Sequence, residues 1–384
     1  MAKGGATALW LSGDAIFDIL SWTPVRSACR FRCVSKEWLA LISDPVFIAK
    51  HKSRAAPEPC LVASFSEGRA DSGLRVTDMK GNVLRVIRGL HLFPMVQSSL
   101  DNLVSVSSYD FATRVVDVVT GKVLLTIPQP STQPCCRAFI VVLGRAAVSG
   151  SCKVVRLIEH PVSEYGGRLK QTCEVLTLED SAEWRQAEPP PSLVSVGRFR
   201  DGSYATINGN VHFLSSNMYG APADRVLCFN LESEEWTKSI EGPLTAEPEL
   251  WKKTGKISIG KFKDALCMIQ PEVRWTNHPC ANIWLLVNPD ISIWVKRYVI
   301  PMASPSDGIE PLWVMPDGVK LLLCYYSIKR SPVKVYDPCS GTFTDAMKMP
   351  KHVFGRIGLC NLHLDRFVAL SDPSNNGSHG LINV

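Results

Sequence analysis

CFNLESEEW, residues 228–236, sets an apolar strand end against an asparagine, five intervening residues and then a tryptophan six positions beyond Asn230. An Asn or Asp that opens a turn folds its side chain onto the turn amides, and a large apolar residue past the turn packs the outgoing strand. The stretch therefore predicts a β-hairpin. The same grammar recurs on both sides of it, in VTDMKGNVL (76–84), VVDVVTGKV (115–123), VLTLEDSAEW (175–184), LVNPDISIW (286–294) and VYDPCSGTF (335–343), with a weaker seventh copy in LSDPSNNGS (370–378). Gly81, Gly121 and Gly341 are placed to supply the positive φ that such turns need. The opening residues, from Asp78 to Asp372, lie 39, 61, 52, 58, 49 and 35 positions apart. A four-stranded propeller blade takes about 40–50 residues, so the spacing suits blades with inserted loops and suits a β-sandwich poorly. From about Cys60 onward the chain is expected to be mainly β, a propeller of six or seven blades.

The first fifty-odd residues follow a different period. Ile16, Ile19 and Leu20 recur at helical spacing after Ser12, a candidate N-cap, with Asp14 in the first turn. Thr23-Pro24 marks a second helix start, threonine capping and proline at the first helical position. Val25, Ala28 and Cys29 share one face of that helix. A third helix is expected to start after Ser35, to carry Trp38, Leu41 and Ile42, and to end at Asp44-Pro45. Three helices in so short a span bury too little apolar surface to be comfortably stable alone. They need a cover, either the β region or the groove of a separate protein.

Composition narrows the function classes. A hydrophobic share of 46% with 20% charged residues describes a folded chain rather than a disordered one. The net charge of +6 is concentrated at the start: up to Ala56 eight Lys/Arg stand against four Asp/Glu, which leaves +2 for everything after. That is too thin for a surface that neutralises many phosphates, so nucleic acid is not an expected partner. The thirteen cysteines are odd in number, scattered and without a C-x-x-C pair, which argues against a disulfide framework or zinc module and for a reducing compartment. No apolar run approaches the ~20 residues of a membrane span, and the opening residues make a poor signal peptide. The expected location is cytoplasmic, nuclear or both, with no membrane contact.

The stretch LSGDAIFDILSWTPVRSACRFRCVSKEWLALISDPVFIAKHKSRA, residues 11–55, resembles the F-box, the helical module that binds the Skp adaptor of cullin-based ubiquitin ligases. The match rests on Leu11, Ile16, Ile19, Leu20, Pro24, Val25, the run from Arg30 to Lys36, Trp38, Leu41, Ile42 and Ser43-Asp44-Pro45. Three positions depart from the pattern: Ser12 replaces proline, and Thr23 and Ala28 replace leucines. Each trims apolar contact, at ~1.5–3 kcal/mol per fully buried side chain. In the β region, INGNVHFLSS (207–216), RVLCFNLESEEWTKSIEGP (225–243), ANIWLLVNPDISIWVKRYVIP (281–301) and KVYDPCSGTF (334–343) resemble the F-box-associated, kelch-like domain of plant F-box proteins.

The resemblance implies a three-helix F-box at 11–56 between a short tail (1–10) and a propeller-like domain (57–384). It assigns adaptor contacts to Leu11, Ile16, Ile19, Leu20, Pro24, Val25, Val34, Trp38 and Leu41. The implied partners are a Skp-type adaptor, a cullin through it, and a protein target, so the chain would be the non-catalytic receptor of an SCF ligase. The alternative is a propeller enzyme or sugar-binding protein to which the helices are merely attached. That reading needs carboxylates or metal ligands at recognisable spacing, and the sequence offers no G-x-S-x-G, H-E-x-x-H, Walker or dinucleotide motif. A third reading keeps the F-box but makes the protein a scaffold.

Individual candidates are weighed against blander roles. His212 sits mid-strand, where a packed histidine is the expectation. His278 with Cys280, and Cys360 with His363, supply two metal ligands each without a second pair, so no metal or other cofactor is expected. Cys135 and Cys136 read as free thiols. Trp184, Trp236 and Trp294 are turn-anchored and expected in the blade core, whereas Trp251, Trp275 and Trp313 fall outside the hairpin units and are the candidate target contacts.

Overall fold

The computed structural model describes residues 11–55, 58–66, 71–108, 112–128, 138–163, 166–178, 183–196, 203–216, 224–244, 256–272, 279–302, 308–326, 332–346 and 353–362. The chain divides into two compact units, one holding the helices and one spanning Leu61–Leu359.

The helical unit has four helices rather than the expected three: α1 (Gly13–Ser21), α2 (Val25–Phe31), α3 (Lys36–Ser43) and α4 (Pro45–Arg54). Ser12 caps α1, its Oγ accepting from the Ala15 amide at 3.2 Å, and Ser35 caps α3 through the Trp38 amide at 3.2 Å. Asp44-Pro45 does end α3, but it also starts α4. The Asp44 carboxylate accepts from the Val46 amide at 2.7 Å, and Pro45 takes a first-turn position that requires no donor. Thr23 does not cap α2, which begins after Pro24 without a side-chain cap. Its hydroxyl turns back to donate to the Leu20 carbonyl at 2.7 Å and so closes α1 instead. The interior is Leu20, Val25, Ala28, Ile42 and Phe47, with Phe17 edge-on to Phe47 at 5.2 Å. His51 of α4 is buried, and its Nε2 lies 2.8 Å from the Thr23 carbonyl.

The β unit is built from antiparallel sets of four strands. Three separate sets run in chain order from one edge to the other: β12 (Tyr204–Ile207), β13 (Asn210–Leu214), β14 (Val226–Asn230) and β15 (Glu235–Ile240); β16 (Ser258–Phe262), β17 (Ala265–Glu272), β18 (Cys280–Asn288) and β19 (Ile293–Pro301); β20 (Gly308–Val314), β21 (Leu321–Tyr326), β22 (Val333–Asp337) and β23 (Thr342–Asp345). A fourth comprises β8 (Ala138–Arg145), β9 (Cys152–Ser163), β10 (Gly166–Thr177) and β11 (Arg185–Ala187). The remaining strands are β1 (Glu58–Ser66), β2 (Ser72–Asp78), β3 (Val83–Arg88), β4 (Met95–Leu100), β5 (Leu103–Ser107), β6 (Thr113–Asp117), β7 (Val123–Ile127) and β24 (Val353–Leu362). They form one eight-stranded run in the order β3-β2-β1-β24-β4-β5-β6-β7, in which the β24–β4 junction is the single pairing Arg356↔Val96. The last described strand therefore sits beside the first.

The hairpin grammar is realised atom by atom. Asp78, Asp117, Asn230, Asn288 and Asp337 each accept from the amide two residues on through Oδ1, at 2.8–3.0 Å. Gly81, three residues after its opening Asp, and Gly121 and Gly341, four after theirs, have positive φ, and Glu234 and Ser292 occupy the four-residue position with φ of 58° and 55°. Trp184, Trp236, Trp294 and Phe343 pack against core clusters between neighbouring sets, as expected. Trp236 donates Nε1–H to the Glu188 carbonyl at 2.7 Å, and Trp294 repeats the arrangement with the Glu241 carbonyl at 2.8 Å. Val123 departs from the pattern and is exposed, because a bulge in the β6–β7 pairing lets Leu125 take the packing position. The seventh copy, opening at Asp372, lies outside the described residues.

Candidate partner-binding surface

The nine residues assigned to adaptor contact separate by burial. Leu20 and Val25, at 3% and 2% exposure, belong to the helical interior and offer no surface, which corrects their assignment. The reason is geometric: Leu20 and Val25 both fall on the side of α1 and α2 that α3 and α4 cover, with Ile42 and Phe47 against them. Ile16, Trp38 and Leu41 pack on that interior at intermediate exposure, Trp38 edge-on to Phe31 at 5.5 Å. Leu11, Ile19, Pro24 and Val34 are exposed.

Three further apolar side chains stand out in the helical unit: Trp22, Leu39 and Val46, at 61%, 42% and 69%. Ala15, Ile19 and Trp22 recur at steps of four and three, so they form one stripe along α1 and its C-cap, with Leu11 exposed just ahead of the N-cap. Arg54 braces its end. The guanidinium lies 5.2 Å over the Trp22 ring, donates to Ser21 Oγ at 2.8 Å and pairs with Asp18. The sequence signal for Trp22 was present in this periodicity.

The three departures from the F-box pattern also acquire places. Ser12 is a cap, Thr23 closes α1, and Ala28 is fully buried. Ala28 therefore costs interior volume rather than partner contact.

In the β unit, Trp251 and Trp275 lie outside the described residues. Trp313 is in β20, half-buried against Leu61, Ala63, Leu312, Leu322 and Cys324, so it is a packing residue and not an exposed target contact. Its place depends on β20 pairing with β21, a register that local sequence does not announce.

The chemistry-bearing candidates are quiet. His212 is 9% exposed in β13, and burial pulls its pKa down to about 4, so it is neutral near pH 7. Burial pushes the thiols of Cys173, Cys228 and Cys267 up to about 12, and a thiol of that kind is a poor nucleophile. The Cys280 thiol is also raised, by burial and by neighbouring Glu272. His278, His363, Cys135 and Cys136 lie outside the described residues. Among the described residues no three His, Cys, Asp or Glu side chains gather as a metal site, and no helix is long and apolar enough to cross a membrane.

Where the sheet edges of the inner strands meet, polar side chains tie the sets together. Arg356 of β24 pairs with Glu310 of β20, and its guanidinium lies 5.7 Å from the Tyr204 ring of β12. Tyr204 donates its hydroxyl to the Gln97 carbonyl of β4 at 3.1 Å.

Residues 9–50 match the F-box domain family. Along most of its length the chain is similar to an F-box/kelch-repeat protein of Arabidopsis thaliana, 23% identical over 350 residues that cover 85% of this chain and 79% of the relative. An F-box protein of the same plant is 23% identical over 379 residues, 88% of this chain and 87% of its own. Among solved structures, the β-propeller domain of Myceliophteria thermophila Cps50 (Swd1) aligns with 82% of this chain and 95% of its own at 10% identity and a TM-score of 0.43.

Proposed function

We propose that this protein is the substrate-recognition subunit of a Skp-cullin-F-box ubiquitin ligase, with residues 11–56 docking on a Skp-type adaptor and residues 57–384 holding a protein target. One observation carries the reading: the segment that matches the F-box folds into four helices whose interior is filled, yet Leu11, Ile19, Pro24 and Val34 stay exposed. An adaptor groove covering such side chains gains up to ~1.5–3 kcal/mol for each one fully buried. Trp22, Leu39 and Val46 extend that surface, and Ile16, Trp38 and Leu41 border it from within.

The β region is read as six four-stranded blades, the first completed by β24. Support comes from core clusters that lie between successive sets, and from Leu61 and Ile357 packing with Leu312 and Leu322 of the last set. Trp251 and Trp275 keep their place as candidate target contacts. They fall in sequence between β15 and β16 and between β17 and β18.

In this arrangement the chain supplies no catalytic residue. Its contribution to rate is proximity: a target lysine held near the ubiquitin-loaded enzyme reacts as if intramolecular. The site of action is the cytoplasm or nucleus. The test is co-expression of the full chain with a Skp-type adaptor and a cullin, followed by purification on the chain. Adaptor and cullin co-purify with the full chain and are lost when residues 11–56 are deleted. Failure of the full chain to retain the adaptor, or retention by the deleted form, would overturn the reading.

A further inference from the structure

The outermost strand of one set is unlike the others. β19 runs nine residues, against six in β3, five in β7, three in β11, six in β15 and four in β23. It ends its sheet, and among the described residues it pairs only with β18. Ile293, Val295 and Val299 on it are 45%, 46% and 52% exposed, and Val287 and Ile291 in the hairpin leading to it are 65% and 66% exposed. The outer strand β15, by contrast, exposes Glu235, Thr237 and Lys238. An edge strand left open to solvent is ordinarily kept short, or guarded by proline or by lysine standing off the edge. In β19 the proline is the last residue, and Lys296 lies 4.8 Å over the Trp284 ring, drawn along the sheet.

The strand itself carries charge of one sign, with Asp290 the acid of the turn before it. β19 holds Lys296 and Arg297 and no acid, and Arg297 is the unpaired residue of a bulge between the Tyr298 and Lys296 pairings. Lys238 adds a cation beside the same hairpin, its Nζ donating to the Asp290 carbonyl at 2.7 Å. A second copy of the strand is a poor occupant. Pairing about its middle would set two Lys296-Arg297 pairs against each other, and like charges across a strand pair are destabilising.

We propose that β19 is a docking edge for an extended segment of a partner protein in which aliphatic residues alternate with Asp or Glu. The segment continues the sheet by main-chain hydrogen bonds, its aliphatic side chains cover Ile293 and Val295 on the face of Leu285, and its carboxylates, on the opposite face, meet Lys296 beside the bulged Arg297. This edge is independent of whether the helices bind an adaptor.

The test titrates the full chain into a fluorescein-labelled octapeptide of alternating Glu and Val, with hydrogen exchange read in parallel. Expected are saturable anisotropy, slowed exchange of β19 amides, no binding of the alternating Lys and Val peptide, and at least tenfold weaker binding by Arg297→Glu at an unchanged thermal midpoint. Val295→Lys gives the same loss and guards against a folding defect in the first variant. Unchanged β19 exchange, equal binding of the Lys peptide, or wild-type affinity in both variants overturns the proposal. So does a micromolar dimer whose protection maps to β19, which would assign the edge to self-association.

Discussion

Ile19 and Leu20 are neighbours in α1 with opposite fates, and replacing each in turn separates docking from folding. Ile19 is 54% exposed, so a covering partner gains roughly half of the ~1.5–3 kcal/mol that complete burial of such a side chain is worth. Aspartate at that position forfeits the gain and adds ~1–3 kcal/mol for a polar group covered without a partner. The sum, about 2–4 kcal/mol, corresponds to about a 30- to 700-fold weaker dissociation constant. Calorimetric titration of Ile19→Asp with a Skp-type adaptor measures it directly, and the thermal midpoint of the free variant should match the wild type. Leu20→Ala behaves differently. Leu20 is 3% exposed among Val25, Ala28, Ile42 and Phe47, and the cavity costs the helical unit about 2–5 kcal/mol. Its adaptor affinity then falls only as far as the unit unfolds. Wild-type affinity in Ile19→Asp would refute the assignment of this face to a partner, and an unshifted unfolding curve in Leu20→Ala would refute the packing.

Three further outcomes follow from the packing. Asp44→Ala removes the cap of α4 and should cost ~1 kcal/mol, read from chemical denaturation of the helical unit. Gly209→Ala places a Cβ 2.6 Å from the Ala147 Cβ at φ +75°, so the β8–β9 turn must shift, and the thermal midpoint of the β unit should drop by several degrees. Because the His212 pKa is about 4 when folded and near 6.5 when unfolded, the unfolded chain binds the extra proton first as pH falls. Stability is full above pH 6.5 and declines between 6.5 and 4, by on the order of 3 kcal/mol, and His212→Asn should flatten that limb in pH-dependent denaturation.

What the sequence made legible was local. The Asx turns at Asp78, Asp117, Asn230, Asn288 and Asp337 close within four residues, so their opening residue and positive-φ position can be read without knowing what packs around them. The caps at Ser12 and Ser35 are equally short-range. The helical period found the apolar residues of α1 but could not say which of Ile19 and Leu20 faces inward, because that is decided by Ile42 and Phe47 from α3 and α4. The fourth helix was hidden because Asp-Pro reads equally as a stop and as a cap followed by a first turn. Trp313 and the Arg356–Glu310 pair depend on residues 9 and 46 positions apart in sequence coming together across strands, a register no local pattern encodes.

The account rests on the exposed face of α1 to α4 being a place for another protein, and hydrogen exchange of the full chain with and without a purified Skp-type adaptor tests that most directly. The prediction is slowed exchange across residues 11–54, strongest in α1 and the Val34 turn, with the β14–β15 hairpin unchanged. Unaltered exchange in the helices at saturating adaptor, or protection confined to the β unit, would contradict it.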